Sequence, residues 1–120
     1  MRSIPARLFL ALALLSSALS LAAQAAPRRF AILVGINQYV DPGLVPLSKA
    51  QNDAEELGAA LKRLGGFKAV LVMSGGLPYS DVNFPTKSRI IERVEATAEL
   101  MRPEDQLLFF FSGHGVNDRS

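Results

Sequence analysis

Residues 30–36 (FAILVGI) form an unbroken apolar run, and two more runs, residues 67–73 (FKAVLVM) and 107–111 (LLFFF), follow at wide spacing. An apolar run without polar alternation is the mark of a strand buried on both faces, as in a parallel sheet covered by helices. The segments between the runs supply those helices. Ala50, Ala54, Leu57, Leu61 and Leu64 recur at helical steps, and Ile90, Ile91, Val94, Ala98 and Met101 form a second stripe. Ser48 and Gln51 stand at capping-box spacing before the first helix, Lys62 and Arg63 fall in its last turn, and Gly65 and Gly66 end it. Thr86 caps the second helix and Pro103 stops it. Strand–helix–strand–helix–strand requires right-handed crossovers and puts the first strand between the other two. The expected class is therefore α/β: a doubly wound, three-layer βαβαβ half with a mostly parallel sheet. The third strand is then an edge lined by Leu and Phe, a liability unless another strand pairs with it. With nine residues after Phe111, the sequence reads as a fragment that a fourth strand should follow.

The first 25 residues read differently. After a short basic start comes an uncharged run of 16 residues, 8–23, shorter than the roughly 20 apolar residues a membrane span needs. Ala23 and Ala25 place small side chains where a signal peptidase requires them, so residues 1–25 are expected to be a signal peptide cleaved after Ala25. Export follows, to the periplasm or the extracellular space, with no stable membrane anchor after cleavage. The formal charge of +2 resides in Arg2 and Arg7, because residues 26–120 hold 11 basic and 11 acidic side chains. That balance gives no support to a nucleic-acid or anionic-membrane partner. With no cysteine and one histidine, neither a disulfide nor a metal site is expected.

In open parallel sheets, functional groups gather beyond the carboxyl ends of the strands. There the sequence puts Gly35, Ile36 and Asn37, a long loop from Ser74, and Ser112, Gly113, His114 and Gly115. His114, the single histidine, can exchange protons near neutral pH and is the candidate general base. The plainer alternative is a histidine that caps the sheet by bonding to nearby backbone. Asn37 and Tyr39 are candidates for substrate contact, Asn37 equally a turn former; Tyr39, Tyr79, Asp81 and Asn83 lie on loops where they could contact substrate, with solvated loop polarity as the default. Asp53 reads as structural near a helix start, and Arg28 and Arg29 as a solvated lead-in to the first strand. Ser112 lacks the G-x-S-x-G elbow of a nucleophilic serine.

Residues 110–115 (FFSGHG) resemble the histidine motif of the caspase-like cysteine peptidases, which include metacaspases and bacterial relatives. The resemblance extends over nearly all of residues 29–117. It takes in FAILVGIN, the helix motif Asn52, Asp53 and Ala54 with Leu57 and Leu61, Gly66 and Phe67, and Pro85 and Thr86. It implies a caspase-like fold and a polypeptide substrate. His114 would deprotonate a cysteine thiol, and the Gly115 backbone N–H would help form an oxyanion hole. It implies no cofactor, apart from calcium activation as in metacaspases. One departure is severe. The nucleophile of caspases lies about 50 residues after the histidine, whereas here six residues follow His114 and none is cysteine. Residues 26–120 are thus expected to be the N-terminal part of a caspase-like catalytic domain, truncated before the nucleophile strand and inactive alone. A second departure is Leu47, which occupies the position of the pocket arginine of aspartate-specific caspases. Cleavage after Arg or Lys, as in metacaspases, is the closer analogy. The alternatives are a caspase-like pseudoenzyme that binds peptides or partner proteins, and an unrelated nucleotide-binding domain. Against the latter, the sequence contains neither G-x-G-x-x-G nor G-x-x-x-x-G-K-[ST].

Overall fold

The first apolar run becomes the centre of the molecule. The computed structural model describes residues 25–115; the expected signal peptide, save Ala25, lies outside them. Strand β1 (Arg29–Gly35) is followed by helix α1 (Ala50–Leu64), β2 (Ala69–Ser74), α2 (Lys87–Leu100) and β3 (Gln106–Ser112). The sheet order is β2-β1-β3 and both pairings are parallel, so the α/β class and the central first strand are as expected. The chain leaves β1 to one side and returns across it to the other, so right-handed crossovers place the two helices on opposite faces. Alternate residues of β1 confirm this. Ala31 and Leu33 pack with Ala54 and Leu61 of α1, whereas Ile32 and Val34 pack with Met73 and, from α2, Ile90 and Val94. No helix among the described residues is long and apolar enough to cross a membrane.

Helix α1 lies closer to the sheet than its leucine stripe suggests. Its buried seam is Ala50, Ala54, Gly58 and Leu61, while Leu64 is exposed. A β-carbon at Gly58 would collide with Val72, and one at Gly35 would meet the Ala50 carbonyl and the backbone of Gln51. Both glycines are there for close approach. Gly65 and Gly66 serve conformation instead, being the only described residues with positive φ (69° and 77°). The start of α1 departs from expectation. Lys49 is its N-cap and makes no side-chain capping bond; the acceptor comes from Asn37 Oδ1, which takes the Gln51 N–H at 3.0 Å. Ser48 is exposed beside it. Thr86 caps α2 as expected, its hydroxyl accepting the Arg89 N–H at 3.3 Å. Helix α2 has no fully buried residue.

The reading of Arg28 as solvated is overturned. Its backbone N–H, Nε and Nη2 all donate to the Asp105 carboxylate, and Nη2 also reaches the Leu100 carbonyl at the end of α2. Arg102 donates to the same carboxylate from its backbone and from Nη2. This knot ties the residues before β1 to the turn before β3. The Asp105 side chain has no exposed surface, and the hydrogen bonds from Arg28, reinforced by Arg102 and opposed by desolvation, hold its carboxyl well below the usual carboxylate range. A depressed native pKa stabilises the fold above the unfolded pKa, about 3.9, and that contribution fades as pH falls toward the native value. Acid unfolding followed by circular dichroism should therefore show stability from this group unchanged above about pH 5 and declining below about pH 4. Asp105→Asn should lower stability at neutral pH and flatten the acid limb; an unaltered limb would show that other carboxylates govern it.

Candidate active site

The three strands end in register. Gly35 pairs with Ser74 on one side and with Ser112 on the other. The Ile36 N–H donates to the Ser112 carbonyl and the Gly75 N–H to the Gly35 carbonyl, each at 3.0 Å. Three loops therefore leave the sheet from adjacent, fixed points, and His114 stands two residues beyond β3 on this rim.

His114 is held at both its backbone and its ring. Its backbone N–H donates to the Tyr39 hydroxyl at 2.9 Å, and its Nε2 lies 2.6 Å from the Val45 carbonyl oxygen. A carbonyl only accepts, so Nε2 carries the proton of this bond. In the neutral ring the lone pair then belongs to Nδ1, the nitrogen available to take a proton. Such a group, half-buried at the end of a rigid sheet, is equipped for general-base work. Gly115 is exposed, and among the described residues no atom lies within 4 Å of where its β-carbon would be.

The two candidates for substrate contact are placed as supports of this arrangement. Asn37 accepts the Leu47 N–H through its carbonyl at 2.7 Å and caps α1 through its side chain, closing the β1–α1 loop. Tyr39 bonds to His114, as above. Leu47 is half-buried in that loop closure. Asp81 accepts the Asn83 N–H at 2.8 Å, turning its own loop. Arg89 Nη1 clamps the loop by donating to the Tyr79 and Asp81 carbonyls. Asp53 is exposed in the first turn of α1, a favourable place for a negative charge. On the α2 side of the rim, Tyr39, Val40, Tyr79, Phe84, Ile90 and Phe111 line an apolar groove of about 750 Å³. Among the described residues no three His, Asp or Glu side chains converge to hold a metal ion.

Two contributors escape a reading by residue type. The Val45 carbonyl is main chain; its only trace in the sequence is Pro46, which biases the preceding residue toward an extended conformation. Gly113 provides space: a β-carbon there would collide with the Tyr39 hydroxyl and the Phe111 ring.

The arrangement has relatives. Residues 28–120 match the caspase domain of the Peptidase C14 family. The chain is 32% identical over 93 residues to Metacaspase-1 of Kluyveromyces lactis, covering 77% of this chain and 21% of that protein. It is 30% identical over 89 residues to Metacaspase-1 of Scheffersomyces stipitis, covering 73% of this chain and 22% of that one. It thus spans about a fifth of the length of these curated relatives. With a parallel sheet in β2-β1-β3 order and a match across most of its length, the chain belongs to the caspase-domain family of cysteine peptidases.

Proposed function

We propose that this chain is the histidine-bearing N-terminal part of an exported cysteine endopeptidase. What carries the reading is the pair of bonds on His114: with Nε2 engaged by the Val45 carbonyl, Nδ1 is the proton acceptor on the rim where the strands end. In the proposed reaction Nδ1 takes the proton of a cysteine thiol beyond Ser120, and the thiolate attacks a substrate peptide carbonyl. The Gly115 N–H and that of the cysteine stabilise the oxyanion. The imidazolium then protonates the leaving amine, and water hydrolyses the acyl-enzyme. Leu47 in place of a pocket arginine and the similarity to metacaspases support cleavage after Arg or Lys. No step is assigned to calcium. Residues 1–25 direct export, and polypeptides are the partners.

The test is the full-length protein. Its sequence past Ser120 should contain an apolar strand ending in cysteine roughly 50 residues after His114, and a thiol-reactive peptide probe should label that cysteine. Another residue type at that strand end would replace this reading by a pseudoenzyme that binds peptides without cleaving them.

A further inference from the structure

We infer that Tyr39 is a positioning residue for His114, an inference that rests on His114 being the base. The two residues are 75 positions apart, yet the Tyr39 hydroxyl accepts the His114 backbone N–H at 2.9 Å. Its ring stands tilted at 59° to the imidazole, with centroids 5.5 Å apart. The donor lies past the end of β3, where among the described residues no ladder carbonyl reaches it, and its partner is the Tyr39 hydroxyl. Gly113 is kept free of a side chain at the point where the hydroxyl passes. Tyr39 and Val45 belong to one loop, closed by the bond from the Leu47 N–H to the Asn37 carbonyl and fastened to α1 by the Asn37 side chain. One closed loop therefore grips the histidine twice, main chain through Tyr39 and ring through Val45. Releasing the first grip frees the backbone that delivers Nε2 to the second, and with it the tautomer that leaves Nδ1 as acceptor.

Tyr39→Phe keeps the ring and deletes the hydroxyl. In the full-length protein we expect kcat on a peptide substrate to fall about 10- to 100-fold, with KM changed by less than about twofold and thermal unfolding barely moved. With ¹⁵N-histidine labelling, the His114 side-chain signals should change from a single Nε2–H tautomer to a mixture. Gly113→Ala, which crowds both the hydroxyl and the Phe111 ring, should give the same tautomer mixture and serves if Tyr39→Phe does not fold. Wild-type kcat and tautomer in both variants, with His114→Ala inactive, would overturn the role of Tyr39 and leave the base intact. Activity retained in His114→Ala would overturn the base instead, and the tautomer signal would still decide whether Tyr39 orients the ring. A fall in kcat matched by an equal loss of folded protein would reduce Tyr39 to a structural residue.

Discussion

His114→Ala in the full-length protein is expected to lower kcat on a peptide substrate by about 10²- to 10⁴-fold, the usual contribution of a positioned general base. Folding should be nearly unaffected. The ring sits half-buried on the rim, and its one side-chain hydrogen bond among the described residues goes to a loop carbonyl that solvent can satisfy once the imidazole is gone. Alkylation by a thiol-reactive peptide probe should slow in parallel, because without the base the thiol ionises less readily. Turnover and labelling at wild-type rates would show that the proton goes elsewhere. Coincident loss of activity and stability would show that His114 holds the rim together and has no chemical part.

Leu33→Ala should have the largest effect on stability. Leu33 has no exposed surface, sits at the middle of β1, and packs against Ala54 and Leu61 on α1 and Phe110 on β3. Its neighbours across the seam include Gly58 and Ala54, which have no side-chain length with which to fill a void. The expected cost is about 2–5 kcal/mol, toward the upper end because the site cannot collapse. That is a large part of the 5–15 kcal/mol typical of a domain. Leu64→Ala is the control. Although it continues the same sequence periodicity, Leu64 is 79% exposed, so the change should stay within about 0.5 kcal/mol. Urea unfolding of both variants checks the contrast, and equal losses would contradict the small-residue seam.

Strands and topology were legible because continuous apolar runs mark the strands and two crossovers of fixed hand set their order; burial was not, since β3 is as apolar as β1 yet leaves Leu108, Phe109 and Phe111 exposed. The cap at Thr86 was legible because donor and acceptor are three residues apart. The cap of α1 was not, since its acceptor is on Asn37, 14 residues upstream, and Ser48 offers the local signal without making the bond. Arg28 reads as solvated until Asp105, 77 residues later, is folded against it. The site divides the same way. His114 is visible as a lone imidazole past a strand. Its ring partner is a backbone oxygen, and its main-chain partner is a tyrosine brought in by loop closure. Both depend on where the β1–α1 loop goes, which residue types do not specify.

The two helices bind the sheet unequally. Helix α1 is seated through small residues against all three strands, whereas α2 rests mainly through half-buried Ile90 and Val94. Lifting α2 bares Ile32, Val34 and Met73 but leaves the sheet paired, whereas freeing the β1 backbone requires parting it from both neighbouring strands. Amide protons of β1 should thus be the last to exchange with deuterium. The wall of the apolar groove that α2 supplies is expected to exchange before β1, so that the space beside the histidine widens while the strands that carry it stay closed.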